Sequence, residues 1–460
     1  MGKRFDFEYI VIGGGPAGIT AATQLAEAGR KVAIVEKSKL GGSDVCYRNM
    51  PQKALNSFSH LYSEAVAGAR FGMSSASMRY NYPTVQHWKE RAVDRAAKVN
   101  SKKGLEEIGV TVLKGQAHFV GPYDVVVGGQ DKQVSASKFL IATGSVLNTD
   151  GISGIDAVPF YTAESILSIP RVPKTALVVG GGASGCEIAQ YLAELGTKVV
   201  LVEAADSILP NENEEVGRGM SEYLAKRNGI KFFTKTKVIA LERDKVSARV
   251  VFVRGGQERT VRVETIVLAT GSKPAIDIGL KNAKVSFDKN GIIADKTLQT
   301  SARNIFVAGD VLGGQSSTER AVYSAEVAVA NMIGRNKKFA NYAGFIRIVD
   351  TDPQIASVGR TEAELAAKKR KYKRVFVPLS SISASIAADF RIGFLKILAD
   401  SQGKILGATM VGPHAADVLQ EISLAIRHDL PLVQIASTPH PANEWSAIVK
   451  LAARRLLLSK

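Results

Sequence analysis

Residues 13–36, GGGPAGITAATQLAEAGRKVAIVE, decide the fold of this chain, because residues 180–203 repeat them as GGGASGCEIAQYLAELGTKVVLVE. The two stretches align without a gap and are identical at 13 of 24 positions. Each follows a short apolar segment, Tyr9–Ile12 in the first copy and Leu177–Val179 in the second. The pattern of each copy predicts a strand, a glycine turn, a helix and a second strand. The chain therefore contains this structural unit twice.

Three glycines with the spacing G-x-G-x-x-G open each copy. In such a motif the first glycine makes the turn, the second lets the backbone approach a pyrophosphate, and the third lets the helix pack on the sheet. The free N–H groups at the start of the helix attract the pyrophosphate. One such motif is weak evidence, but two complete units predict two dinucleotide sites. The glycines are Gly13, Gly15 and Gly18 in the first copy and Gly180, Gly182 and Gly185 in the second.

Each copy ends in a glutamate, Glu36 or Glu203. A glutamate at this position accepts hydrogen bonds from a ribose 2′-hydroxyl and repels a 2′-phosphate. Glu203 is followed by Ala204 and Ala205 rather than by a basic residue. The sequence therefore predicts NADH rather than NADPH at the second site.

Three later apolar segments each run into a glycine. They read FLIATG at 139–144, IVLATG at 266–271 and IFVAGD at 305–310. Each predicts a buried strand that turns beside a cofactor. Asp310 would accept hydrogen bonds from cofactor hydroxyls, with a helix N-cap as the alternative role. From about residue 340, strand-like segments followed by helical runs predict a separate α+β domain.

The chain is basic, with 460 residues, a formal net charge of +17 and a pI of about 9.7. A basic surface suits an anionic cofactor, and nucleic acid or an anionic membrane is the alternative partner. No nucleic-acid motif accompanies the charge, so we expect no nucleic-acid partner. Six of the seven residues in Lys368–Arg374 are basic. We interpret this run as a solvated loop, with weak contact to anionic lipid as the alternative.

The two cysteines, Cys46 and Cys186, lie in separate motifs. No CxxC or Cys/His cluster is present, so the sequence predicts no metal site. The segment from Met1 to Glu8 is polar, and no uncharged apolar stretch reaches the roughly 18 residues of a membrane span. We therefore expect a cytoplasmic protein.

With these motifs the chain resembles the pyridine nucleotide–disulfide oxidoreductases, in particular dihydrolipoamide dehydrogenase and mercuric reductase. Residues 351–362 and 393–420 are similar to the start and the central hairpin of that family's C-terminal domain. The resemblance implies an α/β fold with two Rossmann-like domains, for FAD and NAD, and a C-terminal α+β dimerisation domain, so we expect a homodimer. The implied domains are 1–150 for FAD, 151–272 for NAD, 273–338 as the return to the FAD domain, and 339–460 for dimerisation.

The resemblance also assigns residues to sites. Lys53 and Glu187 would form a catalytic pair near flavin N5, and His440 would act as an acid/base. Glu36 would bind the FAD ribose and Asp310 the ribityl chain. The remaining FAD-binding positions would be Gly13, Gly15, Gly18, Ser43, Lys53, Ala117, Thr143 and Gly144. The NAD-binding positions would be Gly180, Gly182, Gly185, Glu203 and Gly271.

The sequence departs from the family at its redox disulfide, GGxCxxxxCxPxK. Residues 41–53 read GGSDVCYRNMPQK, which places Asp44 and Asn49 at the two cysteine positions. Neither side chain can form or attack a disulfide. Cys46 lies between these positions and Cys186 lies in the second glycine motif, so we expect no disulfide between them.

Two further departures concern the same region. Ala183 stands where many relatives carry a tyrosine that covers the flavin. His440 and Pro441 match the family, but Glu444 lies four residues after the histidine rather than five. Either a deletion has shifted this glutamate, or the acid/base pair is broken, and a purely structural role for His440 is the alternative.

These features predict an FAD-dependent NAD(P)H:acceptor oxidoreductase that prefers NADH and reduces a quinone or a similar small acceptor directly from the flavin. Dihydrolipoamide or glutathione reductase activity is not expected without the thiols. A soluble pyridine nucleotide transhydrogenase is one alternative. A non-catalytic redox sensor that binds FAD and NAD is the other.

Overall fold

The computed structural model describes residues 4–74, 78–128, 132–243 and 248–458. It confirms the predicted α/β fold, with two Rossmann-like units and a C-terminal α+β region. Within the described residues, no helix is both long enough and apolar enough to cross a bilayer.

The first unit is built around a sheet with the strand order β3-β2-β1-β6-β5-β4. The strands β3, β2, β1 and the end of β6 are parallel, whereas β4, β5 and the start of β6 are antiparallel. The strands are β1 Phe7–Ile12, β2 Val32–Glu36, β3 Val110–Lys114, β4 Ala117–Gly121, β5 Asp124–Val127, β6 Lys132–Ile141 and β7 Ser145–Leu147. The helices are α1 Pro16–Glu27, α2 Asn49–Ala67, α3 Tyr82–Val99 and α4 Lys102–Glu107.

Both faces of this sheet are buried, which explains why its strands read as apolar runs rather than alternating patterns. Tyr9 and Val11 of β1 pack in the core beneath α1, and Ile10 and Ile12 pack in the core on the opposite face. Proline opens α1 at a position where its missing N–H costs no hydrogen bond.

The second unit repeats the arrangement in a parallel sheet with the order β11-β10-β9-β15-β8. A three-stranded antiparallel sheet, β12-β13-β14, accompanies it. The strands are β8 Tyr161–Thr162, β9 Thr175–Val179, β10 Lys198–Val202, β11 Lys231–Phe233, β12 Thr236–Arg243, β13 Ala248–Arg254, β14 Gln257–Val263 and β15 Thr265–Leu268. The helices are α5 Ala183–Glu194 and α6 Glu214–Asn228.

The chain then returns to the first unit. The strand β16 pairs with β7, and β19 joins the first sheet parallel to the end of β6. The helix that follows packs with α1 in the core beneath that sheet. The elements are β16 Ser272–Pro274, β17 Phe287–Asp288, β18 Gly291–Ile292, β19 Ile305–Val307 and α7 Thr318–Ile333.

The C-terminal region is an antiparallel five-stranded sheet, ordered β20-β21-β24-β23-β22, with helices packed on it. Its strands are β20 Ile346–Val349, β21 Ile355–Gly359, β22 Lys373–Pro378, β23 Phe394–Ala399 and β24 Ile405–Val411. Its helices are α8 Glu362–Ala367, α9 Ser383–Ala387, α10 Ala415–Val418, α11 Gln420–Arg427, α12 Leu432–Ser437 and α13 Ala447–Leu458.

The basic run Lys368–Arg374 joins α8 to β22. Two of its cations are paired within the same domain: Arg370 lies 3.2 Å from Asp400, and Arg374 lies 3.4 Å from Glu362.

Candidate functional site

The first glycine of each motif makes the same turn. Gly13 has φ +107° and Gly180 has φ +106°, a region that side-chain-bearing residues rarely adopt. A Cβ atom at Gly13 would lie 2.2 Å from the carbonyl oxygen of Ala142, and one at Gly180 would lie 2.3 Å from that of Ala269. Both carbonyls follow the closing strands, β6 and β15, so each turn is locked against the segment predicted to border its cofactor.

The third glycine of each motif is required for packing. A Cβ at Gly18 or at Gly185 would come within 1.8 Å of the carbonyl oxygen of the first glycine in the same motif. The second glycines, Gly15 and Gly182, differ, because a Cβ there would meet nothing within 4 Å. Open space at the start of each helix, beside free backbone N–H groups, fits a pyrophosphate at both turns.

The two predicted ribose-binding glutamates also adopt matching positions. The carboxylate of Glu36 accepts hydrogen bonds from the N–H groups of Gly14, at 2.6 Å, and Ser38, at 2.5 Å. The carboxylate of Glu203 accepts from the N–H groups of Gly181, at 2.5 Å, and Ala205, at 2.7 Å. Each carboxylate is thus fixed beside its own glycine turn.

A cavity of about 900 Å³ lies at the carboxyl ends of the first sheet. It brings together residues from distant parts of the chain that were predicted to hold FAD. Asp310 accepts hydrogen bonds there from the hydroxyls of Ser145, at 3.4 Å, and Ser316, at 2.5 Å. The predicted FAD-binding residues that line the cavity are Gly13, Glu36, Ala117, Thr143 and Asp310.

Other predicted positions lie at turns and are not part of the lining of this cavity. Gly144 and Gly271 have positive φ, +71° and +88°, immediately after the two closing segments. The hydroxyl of Ser43 donates to the carboxylate of Glu164 at 2.6 Å. Ser43 begins a π-helical turn, Ser43–Tyr47, that leads into α2.

Asp44 and Asn49, which occupy the cysteine positions of the resembled family, are in contact across this turn. The amide nitrogen of Asn49 donates to the Asp44 carboxylate at 2.9 Å and to the Thr318 hydroxyl at 3.0 Å. The Thr318 hydroxyl donates to the same Asp44 oxygen at 2.5 Å. Thr318 is the first residue of α7, so the triad ties the turn to the returning part of the first unit.

Both cysteines are free thiols, as expected. The thiol of Cys46 donates to the carbonyl oxygen of Leu40 at 3.1 Å, and burial raises the pKa of this thiol. Cys186 is fully buried in α5, where burial raises its pKa further. Thiols held protonated in this way are poor nucleophiles.

The predicted pairing of Lys53 with Glu187 is wrong. The ammonium of Lys53 pairs instead with the carboxylate of Asp350 at 3.0 Å, and its side chain is 63% exposed. Glu187 accepts hydrogen bonds from the Gln52 amide, at 2.6 Å, and from the Asp350 backbone N–H, at 2.7 Å. Neighbouring residues on a helix point about 100° apart, and it is Gln52 rather than Lys53 that faces α5.

Burial raises the pKa of the Glu187 carboxyl. The Asp350 N–H, the nearby Arg48 guanidinium and the Gln52 amide oppose this effect. Glu187 thereby links α2, α5 and the loop after β20. Sequence reasoning missed both partners, because Gln52 is a variable position of the segment 41–53 and Asp350 lies just before the segment that begins at residue 351.

Sequence reasoning also missed Arg48, although it lies inside the atypical segment. Its guanidinium donates to the hydroxyl of Ser184, in the second glycine motif. The Nε atom of Arg48 is buried and has no hydrogen-bond partner. Arg48 therefore places a cation beside the second nucleotide-binding turn.

His440 has a carboxylate partner, but it is not Glu444. Its Nε2 lies 2.7 Å from a carboxylate oxygen of Glu421, and its Nδ1 lies 3.0 Å from the carbonyl oxygen of Thr438. Both partners of the imidazole are hydrogen-bond acceptors. Glu444 is exposed, and it is not the residue that pairs with His440. The alternative in which a deletion has moved the family's glutamate to position 444 therefore does not describe this structure. Glu421 lies on α11 and has no sequence signal linking it to the histidine.

Comparison with known proteins agrees with this geometry. Residues 7–330 match the family described as pyridine nucleotide-disulphide oxidoreductase, and residues 346–452 match the dimerisation domain of that family. A dihydrolipoyl dehydrogenase of Bacillus subtilis (strain 168) is 31% identical over 466 residues, with 97% of each chain covered. A mercuric reductase of Bacillus cereus is 28% identical over 452 residues, which cover 98% of this chain and 71% of that protein.

Solved structures show the same fold. The HOCl-induced flavoprotein disulfide reductase RclA from Escherichia coli is 22% identical, with a TM-score of 0.86 over 97% of this chain and 99% of that chain. The LpdA protein of Mycobacterium tuberculosis is 24% identical, with a TM-score of 0.87 over 97% of this chain and 99% of that chain.

Proposed function

The chain belongs to the pyridine nucleotide-disulphide oxidoreductase family, and on that premise we propose that it is an FAD-dependent NAD(P)H:acceptor oxidoreductase that works without a redox disulfide. The observation that carries this proposal is the hydrogen bond between Asp44 and Asn49. It occupies the position of the family's disulfide, and it cannot store electrons or exchange with a thiol.

The first unit is the proposed FAD site. FAD, when bound, supplies a ring system that accepts a hydride from a nicotinamide and passes two electrons to an acceptor. Glu36 binds the ribose, Asp310 binds hydroxyls of the cofactor chain, and the N–H groups near Gly15 bind the pyrophosphate. Space for a pyrophosphate beside Gly15 and the cavity lined by Glu36 and Asp310 support this assignment.

The second unit is the proposed NADH site. Its turn matches the first turn glycine by glycine. A Cβ would clash at Gly180 and Gly185, as at Gly13 and Gly18, and would meet nothing within 4 Å at Gly182, as at Gly15. Glu203 accepts from the ribose hydroxyls and repels a 2′-phosphate. The preference is therefore for NADH, with NADPH as the weaker reductant.

The proposed acceptor is a quinone or a similar small molecule. Such an acceptor needs no thiol, and the overall reaction balances as NADH, a proton and a quinone giving NAD⁺ and a hydroquinone. Ala183, at the start of α5, leaves more room than the tyrosine that many relatives carry there. His440, held by Glu421 and by the Thr438 carbonyl, is the proposed proton donor to the acceptor.

Anaerobic stopped-flow mixing tests the proposal. NADH should bleach the flavin absorbance of the purified holoprotein quickly, and a soluble quinone should restore it. Titration should consume about two electrons per FAD, because no dithiol adds a second two-electron centre. Uptake of about four electrons would contradict the disulfide-free mechanism. Failure of both NADH and NADPH to bleach the flavin would leave a nucleotide-binding redox sensor.

The proposed assembly is a cytoplasmic homodimer, supported by the match of residues 346–452 to a dimerisation domain. Weak contact with an anionic membrane through Lys368–Arg374 is a further part of the proposal, although Arg370 and Arg374 are already paired with carboxylates. Failure to sediment with anionic liposomes at low salt would rule out this contact.

A further inference from the structure

Three potential metal ligands from three parts of the chain meet outside the cavity described above. They are His60 on α2, Glu194 at the end of α5, and Asp352 in the loop between β20 and β21. One ligand atom from each lies within 4.8 Å of the other two. None of the three residues lines the proposed FAD cavity.

His60 and Glu194 are already in contact. The imidazole Nδ1 lies 3.0 Å and 3.2 Å from the two carboxylate oxygens. The side chain of Glu194 is only 1% exposed, and that of His60 is 25% exposed. An ion pair accounts for the contact between His60 and Glu194, but it does not account for the Asp352 carboxylate close to them.

Hydrogen bonds to its main chain hold Asp352 in place, and its carboxylate takes no part in them. Its backbone N–H donates to the Gln190 amide oxygen at 2.8 Å, and its carbonyl oxygen accepts from the Gln190 amide nitrogen at 2.8 Å. Among the described residues, none donates a hydrogen bond to the Asp352 carboxylate. Gln190 lies one helical turn before Glu194 on the same face of α5. The helix therefore positions the Glu194 carboxylate directly and, through Gln190, the segment that carries Asp352.

The nearest arginine is engaged elsewhere. The charge of Arg227 acts on the Asp352 carboxyl from a distance, but its guanidinium donates to Glu64 at 2.7 Å. Two carboxylates, one of them nearly inaccessible to water, thus lie beside a single imidazole, and among the described residues no arginine or lysine forms an ion pair with either of them. Such an arrangement gains stability from an additional cation.

We propose that His60, Glu194 and Asp352 bind a divalent cation, with Zn²⁺ as the best match, and that the ion joins α2, α5 and the loop after β20. One imidazole nitrogen and two carboxylate oxygens form a nitrogen and oxygen ligand set that suits Zn²⁺. Two carboxylates balance its charge. Zn²⁺ binds such ligands at about 2.0–2.2 Å, which places ligand atoms roughly 3.4 Å apart. The His60–Glu194 contact is already close to that spacing.

The role of the ion is structural. It fastens the first unit, the second unit and the C-terminal region at one point. Gln190 acts as a positioning residue for the site, because it orients the segment that carries Asp352. Three protein ligands leave one position for water.

The test uses the FAD-loaded, full-length protein without a histidine tag, stripped with a chelator and dialysed against Zn²⁺. Metal analysis should find about one Zn²⁺ per chain, and Zn²⁺ should raise the melting temperature. His60→Gln and Asp352→Asn should each weaken Zn²⁺ binding at least tenfold and abolish the thermal shift. The matched control is His87→Gln, which removes an exposed histidine 3.8 Å from Glu90 and should bind Zn²⁺ like the wild type.

Two results would overturn the proposal. One is a wild-type holoprotein that takes up no Zn²⁺ under these conditions. The other is Zn²⁺ uptake that persists in His60→Gln and Asp352→Asn. FAD content and circular dichroism report on the folding of each variant. Asp352→Asn keeps the test decisive if His60→Gln fails to fold, because its main-chain bonds to Gln190 do not depend on the carboxylate.

Discussion

The side-chain amide of Asn49 donates a 2.9 Å hydrogen bond to the carboxylate of Asp44. These residues hold the two positions at which the resembled family carries its redox cysteines, so a polar contact replaces a covalent one. The Thr318 hydroxyl binds both side chains and completes the replacement. The turn therefore keeps a link across these positions while losing the ability to accept electrons.

The contact between these side chains predicts that a disulfide can be restored. The double variant D44C/N49C should form a disulfide under oxidising conditions, because the two side chains already meet across the turn. Reductive titration should then consume about four electrons per FAD rather than about two. The control N49C/C46S, which has no other thiol in this turn, should remain at about two. Because Cys46 and Cys186 are free thiols as well, a double variant that still shows four titratable thiols in denaturant after oxidation would show that the turn cannot accommodate the bond.

Gly182 offers a test of the second nucleotide site that leaves the fold intact. A Cβ there meets no atom within 4 Å and the residue has φ −70°, so Gly182→Ala should leave the melting temperature almost unchanged. The added methyl should occupy the space for the pyrophosphate and raise the KM for NADH roughly tenfold or more. Gly219→Ala, an equally open position in α6, is the control and should not change KM. An unchanged KM in Gly182→Ala would place the nucleotide elsewhere.

Glu187 should make stability depend on pH. Burial raises the pKa of its carboxyl in the folded protein, so its contribution to stability is fully present below the ordinary carboxyl pKa. That contribution is lost as the pH rises through the folded pKa. The stability of the wild type relative to Glu187→Gln should therefore fall with rising pH, measured by denaturant unfolding of the holoprotein at several pH values. A pH-independent difference would contradict this prediction.

Truncation of the same residue should cost more. Glu187→Ala leaves the Gln52 amide and the Asp350 N–H without their acceptor, and it should reduce the free energy of unfolding by about 1–3 kcal/mol. Glu187→Gln should lose less, because the amide oxygen still accepts one of these hydrogen bonds. Equal losses in both variants would show that these hydrogen bonds do not carry the stabilisation.

The partner of His440 can be identified by comparing two glutamates. His440→Gln should slow reoxidation of the reduced enzyme by a quinone roughly a hundredfold, within the range expected for general acid catalysis. Glu421→Gln should also slow this step, because Glu421 holds the imidazole at 2.7 Å. The exposed Glu444 is the control, and Glu444→Gln should react like the wild type. Neither His440→Gln nor Glu421→Gln should alter flavin reduction by NADH, and slowing of that step would assign His440 a different role.

Features that depend on local sequence patterns could be predicted well, whereas side-chain pairings between residues far apart in the sequence could not. Gly13 and Gly180 could be assigned from sequence because their roles depend on the backbone of a single turn. Thr143 follows from the family resemblance and Asp310 from the glycine that ends an apolar strand, and both residues lie just after strands of one sheet, β6 and β19, which brings them to the same edge.

Pairings between side chains on different helices and loops depend on how these elements pack together, which the sequence does not encode locally. Lys53 and Gln52 are adjacent, and only the packing of α2 against α5 decides which of them meets Glu187. Likewise, Glu421 meets His440 because α11 and the loop after α12 are packed together, whereas Glu444 is closer in sequence but faces solvent.

The strand β19 affects how the protein is made. Ile305–Val307 completes the first sheet beside β6, yet it is synthesised after the whole second unit. A ribosome that has translated the second unit still carries a first unit with one strand edge open. Premature termination before residue 305 would thus yield a product that contains both glycine motifs and cannot complete its first sheet.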